Sequence, residues 1–201
     1  MWRIPLSDLS YDEAEYEAVA SVLRSRWLSM GPRTEEFESR AAEYLQVRHA
    51  IAVANGTCAL EMACQVLFDM AREGQGGDVA ARAPEVLVPD LTFVATANAA
   101  LCSGARVRFA DLESLTEPVL RLEDAARFAA PDREPGTLRI IAPAHYAGFD
   151  ARSEELADLA RSWGARMVED AAHAIGGRTR SGRFLGTAGD VGCFSFFANK
   201  N

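Results

Sequence analysis

Glu85-Val86-Leu87-Val88-Pro89, then the segment from Thr92 to Cys102, then Arg106-Val107-Arg108-Phe109-Ala110, reads as strand, helix, strand. The first run is short and apolar, as in a strand covered on both faces. A strand, a crossover helix and a second strand make a βαβ unit with parallel strands.

The same alternation extends in both directions. Upstream, Ala50 to Ala54 reads as a strand and Thr57 to Met70 as a helix, with Leu60, Ala63, Leu67 and Met70 at helical spacing. Downstream, a helix is expected over Leu122 to Ala129 and a strand over Leu138 to Ala142. Ser153 is expected to cap a helix reaching Trp163, with further strands at Arg166 to Glu169 and Val191 to Ser195. Such strict alternation predicts an α/β fold with a mostly parallel, doubly wound sheet. The glycine-bearing stretch from Arg72 to Pro84 has no apolar period and reads as a surface loop. Two helical patterns, Glu13 to Trp27 and Thr34 to Leu45, are split by Met30-Gly31-Pro32. We expect residues 1–49 to form an N-terminal helical arm and residues 50–201 the sheet domain.

A net charge of −8 disfavours nucleic acid or an anionic membrane surface as the main partner, since both attract basic patches. Cys58, Cys64, Cys102 and Cys193 form no C-x-x-C pair, which suits reduced thiols better than zinc or disulfides. Met1-Trp2-Arg3-Ile4-Pro5 lacks the apolar run of a signal peptide, and no segment is long and apolar enough for a membrane span. Cytoplasm is the expected compartment.

In open α/β sheets, ligands bind beyond the carboxyl ends of the strands. Four motifs fall at such ends. Asn55-Gly56-Thr57-Cys58 joins a strand to a helix, where glycine permits a tight turn and the helix N-terminus offers N–H groups to a phosphate; it also reads as an ordinary capped turn. Phe93, in Asp90-Leu91-Thr92-Phe93, could stack on a flat cofactor or fill the core. Asp170, followed by His173, needs a partner for a half-buried carboxylate. A protonated pyridine nitrogen would serve, and so would a helix N-terminus or an arginine; with one histidine and no ligand cluster, a metal is poorly supported. Lys200 follows Phe194-Ser195-Phe196-Phe197. Most lysines are solvated surface charges, but one desolvated after an apolar run loses its proton more easily and can bond an aldehyde carbon. Together these residues supply phosphate donors, a ring stacker, a ring-nitrogen partner and an amine, which is what pyridoxal 5'-phosphate (PLP) requires.

With those motifs the chain resembles the DegT/DnrJ/EryC1/StrS family of PLP-dependent sugar aminotransferases, of fold type I. Gly31-Pro32 and Glu36-Phe37-Glu38 are similar to the family's G-P…E-F-E, and Asn55 to Leu60 to S-G-T-x-A-L, with Asn55 in place of serine. Val88 to Asn98 resembles V-P-x-x-T-F-x-A-T-x-N, and Glu169 to Ala174 resembles E-D-A-A-[QH]-A. Gly189-Asp190 through Phe194-Ser195-Phe196 to Lys200-Asn201 resembles G-D-x-G-x-F-S-F…K-N. The resemblance implies that Lys200 binds the cofactor's aldehyde carbon and acts as catalytic base, and that Asp170 bonds the ring nitrogen. It also implies that His173 lies toward the phenolic oxygen, that Phe93 stacks on the ring, and that Gly56, Thr57, Cys58 and Ser195 hold the phosphate. His145 matches a family position near the site, without a direct role assigned to it.

The implied reaction passes an amino group from an amino acid, glutamate being usual, to a keto group of a nucleotide-linked sugar. A related sugar dehydratase carries histidine in place of the lysine, and Lys200 argues against it. A Rossmann-type nucleotide binder is disfavoured by the lack of G-x-G-x-x-G after the first strand. Family members are roughly twice as long, work as homodimers, and insert an antiparallel strand between the first strand and the one preceding the lysine. The expectation is therefore a large domain truncated before its last strand and before the small C-terminal domain. The alternative to an active enzyme is an inactive fragment of one.

Overall fold

The computed structural model describes residues 9–74, 82–130 and 137–200. They form two compact units, one of residues 9–52 with 197–200 and the other of residues 53–196.

The first unit holds helices α1 (Glu13–Ser25) and α2 (Pro32–Leu45). Asp12 and Glu15 form a reciprocal capping box at the start of α1, which satisfies two N–H groups that the helix leaves unpaired. Pro32 opens α2, where a missing N–H costs nothing. Between the helices the Trp27 indole N–H donates to the Met30 carbonyl at 2.9 Å. Its ring lies so close to Gly31 that a Cβ there would overlap it.

The second unit runs α3 (Gly56–Gly74), β1 (Glu85–Pro89), α4 (Val94–Cys102), β2 (Arg106–Ala110), α5 (Leu122–Ala129), β3 (Arg139–Ile141), α6 (Ser153–Ser162), β4 (Arg166–Asp170) and β5 (Val191–Cys193). All five strands are parallel, in the order β2-β1-β3-β4-β5. The pleat sorts their side chains between two cores. Val86, Val88, Ile140, Ala142, Val168 and Cys193 join Leu60, Leu67 and Phe68 of α3 and Ala95 and Ala99 of α4 on one face. Leu87, Ile141 and Met167 join Ala125 and Phe128 of α5 and Leu156 and Ala160 of α6 on the other. Helices thus cover both faces, and the sheet is doubly wound as expected. The chain leaves β1 for β2 on one side and enters β3 on the other, so its order reverses beside β1. The carboxyl edge there is where such sheets open a crevice.

Three details depart from the sequence reading. Ala50 to Ala54 forms no strand, and Ile51 is 75% exposed. An extended run is held only when a neighbour takes up its N–H and C=O groups, and the sheet does not include this one. Ser153 begins α6 but does not cap it; its N–H and hydroxyl both donate to Asp150 Oδ1, at 3.1 and 2.9 Å. Helix α3 continues to Gly74, past the loop expected from Arg72, while residues 75–81 lie outside the described residues.

The turn before β5 is packed to contact. A Cβ on Gly192 would overlap the Gly186 carbonyl, and one on Gly189 would lie 2.8 Å from the Met167 carbonyl oxygen. Gly192→Ala should therefore destabilise the protein by about 1–3 kcal/mol, read from urea unfolding; an unchanged midpoint would contradict this packing. Burial pushes the Cys64 thiol up to about 11 and the Cys193 thiol higher still. In native protein at pH 8, iodoacetamide should alkylate exposed Cys102 and spare Cys64 and Cys193, a difference that peptide mass spectrometry resolves.

Candidate functional site

Glu169 and Asp170 are consecutive residues of β4, so the pleat sends their side chains to opposite faces. Each meets a different set of partners.

Glu169 has no exposed surface. Its Oε1 accepts from the N–H groups of Ala188 and Gly189, both at 2.7 Å. Its Oε2 accepts from Gly186 N–H at 3.1 Å and lies 3.0 Å from His145 Nε2. Glu169, as a carboxylate, can only accept, so His145 Nε2–H is the donor; His145 Nδ1 lies 3.2 Å from Ala151 N–H and 3.3 Å from the Phe149 carbonyl oxygen. One carboxylate thus ties the turn before β5 to the loop after β3. A buried charge with this many donors is satisfied rather than exposed to desolvation cost.

Asp170 faces α4 and is also buried, at 6% exposure. Its Oδ2 accepts from the Thr96 hydroxyl at 2.6 Å, and its Oδ1 from Ala172 N–H at 3.2 Å. A carboxylate offers about four acceptor positions, so it retains capacity for another donor. Main-chain bonds fix its place: Asp170 N–H donates to Pro143 O, His145 N–H donates to Asp170 O, and Ala171 N–H donates to Cys193 O, at 2.9, 2.9 and 2.8 Å.

The remaining candidates in residues 53–196 gather at the same strand ends. Phe93 precedes α4 and is 63% exposed; its carbonyl lies 3.1 Å from Thr96 Oγ1. Asn55 Oδ1 accepts from Cys58 N–H at 2.9 Å, capping α3 and leaving the first turn of Gly56, Thr57 and Cys58 ordered. Gly56 approaches β5's continuation so closely that a Cβ there would stand 3.2 Å from Ser195 Cβ and 3.3 Å from the Phe194 carbonyl oxygen. Cys193, two residues before Ser195, pairs in register with Asp170. His173 Nδ1 accepts from Ala147 N–H at 3.2 Å, so its proton sits on Nε2, and its ring meets Tyr146 edge-on at 5.7 Å. Lys200 belongs to the first unit, where its N–H closes a turn onto the Phe197 carbonyl at 2.8 Å.

The model of the DegT/DnrJ/EryC1/StrS aminotransferase family matches residues 10–201. The chain belongs to this family. It is 34% identical over 202 aligned residues to the spore coat polysaccharide biosynthesis protein SpsC of Bacillus subtilis, an alignment covering 98% of this chain and 46% of that protein. It is 35% identical over 189 residues to the dTDP-4-dehydro-2,3,6-trideoxy-D-glucose 4-aminotransferase of Saccharopolyspora spinosa, covering 92% and 44%. Among solved structures, the PLP-form of Spr1654 from Streptococcus pneumoniae superposes with a TM-score of 0.80 at 26% identity, covering 99% of this chain and 50% of that one. The chain spans about half the length of the relatives it matches. No helix among the described residues is long and apolar enough to cross a membrane.

Three residues that organise the site were quoted only as parts of motifs. Thr92 precedes the α4 cap and Thr96 lies in the first turn of α4, and the chain's entry into the helix brings their hydroxyls to 2.7 Å. Glu169 precedes Asp170, and only strand alternation separates their surroundings.

Glu169→Gln puts an amide NH2 against N–H donors in either orientation. The loss should be roughly 3 kcal/mol of unfolding free energy, measured in urea. A stability equal to wild type would show that Glu169 does not hold the turn.

Proposed function

We propose that this chain carries the cofactor-binding part of a PLP-dependent aminotransferase, with glutamate as donor and a keto group on a nucleotide-linked sugar as acceptor. The observation that carries the reading is the gathering of Asp170, Thr96, Phe93, Gly56 and Ser195 at one carboxyl edge of the sheet. The residues fit the group chemically. The absence of a Cβ on Gly56 lets Ser195 pack against the first turn of α3, which sets a serine hydroxyl beside a helix N-terminus, a pairing suited to a phosphate. Asp170 is a carboxylate held by two donors with acceptor capacity to spare.

In this reading Gly56, Thr57, Cys58 and Ser195 bind the phosphate, Asp170 accepts the ring N–H, and Phe93 covers a ring face. His173 presents its Nε2 proton to the ring oxygen. PLP, when bound, supplies an aldehyde for amine exchange and a ring that takes up electron density. Lys200 Nζ would hold that aldehyde carbon and, as a free amine, would take the proton from the donor's α-carbon and return it. The substrate class is supported by the Saccharopolyspora relative, which is named for a dTDP-linked keto sugar. We take residues 1–49 as an arm and residues 50–201 as part of the PLP-binding large domain. We also take the working state as a homodimer in the cytoplasm. Tyr16, Val19 and Leu23 of α1 are each at least 60% exposed at helical spacing, a stripe that association would cover.

The test is direct. The protein mixed with PLP, reduced with borohydride and digested should carry the pyridoxyl mass on the Lys200 peptide, and Lys200→Ala should carry none. Supplied with 15N-glutamate and a nucleotide-linked keto sugar, it should yield a sugar amine bearing the label. Absence of the pyridoxyl mass would reject the cofactor assignment; its presence without labelled amine would reject the reaction.

A further inference from the structure

We propose that Thr96 is a positioning residue that holds the Asp170 carboxylate aimed at the cofactor's ring nitrogen, and that Thr92 sets the direction of the Thr96 hydroxyl. This rests on the reading that the site takes PLP.

Thr96 is 2% exposed. Its Oγ1 lies 2.6 Å from Asp170 Oδ2, 2.7 Å from Thr92 Oγ1 and 3.1 Å from the Phe93 carbonyl oxygen. A hydroxyl has one proton to give. An ionised Asp170 can only accept, so the Thr96 proton goes to it, and 2.6 Å is the length of a charge-assisted O–H···O⁻ bond. The short contact with Thr92 is then a donation from Thr92 to Thr96. Two hydroxyl dipoles stand head to tail and point at the carboxylate.

The surroundings hold the carboxylate from the same side. Thr96 sits in the first turn of α4, so the carboxylate it holds lies at the positive end of that helix. Ala172 N–H supplies a donor to the other oxygen. A carboxylate so held accepts from a protonated ring nitrogen and keeps that proton on the ring.

The experiment compares PLP with its 1-deaza analogue, in which C–H replaces the ring nitrogen, by equilibrium absorbance titration of the wild-type chain, T96V, T96S and D170A. T96V should weaken PLP binding about tenfold, the size of one charge-assisted hydrogen bond, and T96S by less than about threefold. For the deaza analogue, T96V and wild type should agree within about twofold, and T96V should add nothing in the D170A background. An equal loss on both ligands, or a repeat of the loss in D170A, would make Thr96 a mere support for α4 and overturn the proposal. Should T96V not fold, T92V carries the same comparison, with a loss on the order of threefold confined to PLP. If wild type binds PLP at Lys200 and these variants bind it equally well, the function stands and this inference falls. If wild type binds no PLP, both fall.

Discussion

A carboxylate sealed from solvent inside an α/β sheet must find donors, and Glu169 finds four: three main-chain N–H groups of the turn before β5 and the Nε2–H of His145. Those donors come from segments far apart in the chain. Their convergence decides where the loop after β3 lies and how β5 enters the sheet. Glycines in and after that turn answer to the same packing: a Cβ on Gly189 or Gly192 would meet the carbonyl of Met167 or Gly186, and one on Gly186 would meet the side chains of Phe194 and Ala171. Removing the carboxylate would leave polar groups facing one another with nothing between.

The site is a by-product of this anchoring. With β4 and β5 locked in register, Asp170 and Cys193 are paired, and Ser195 follows two residues on, against Gly56. Because side chains alternate, the acid that anchors the fold and the acid we propose for the cofactor occupy adjacent positions without sharing partners. Two helix starts serve the same edge. The first turn of α3 lies beside Ser195, and the first turn of α4 supplies Thr96 to Asp170. Negative groups are favoured at both by the orphan N–H groups and aligned peptide dipoles of a helix N-terminus.

Strands β1 and β2 and helix α5 were legible residue for residue, because short apolar runs and amphipathic periods are local properties. The strand expected at Ala50 to Ala54 failed for a non-local reason: an extended run needs a neighbour to pair with, and no pattern in its own residues says whether one is there. Capping at α6 failed similarly, since Arg152 takes the cap position and Ser153, already the first helical residue, gives its hydroxyl proton to Asp150. Asp170, His173, Phe93, Ser195 and the Gly56 turn stood out as motifs at strand ends. Thr96 did not, because a threonine within an alanine-rich helix looks unremarkable until the strand it faces is known.

From sequence alone came the alternation of strand and helix, the parallel sheet covered on both faces, and the family, since these rest on local periodicity and on motifs in fixed order. The tertiary structure decided which donors each buried acid receives. Glu169 and Asp170 are chemically alike and adjacent in the chain, and their surroundings differ because a pleated strand turns neighbours toward opposite sides, where elements distant in the chain happen to pack.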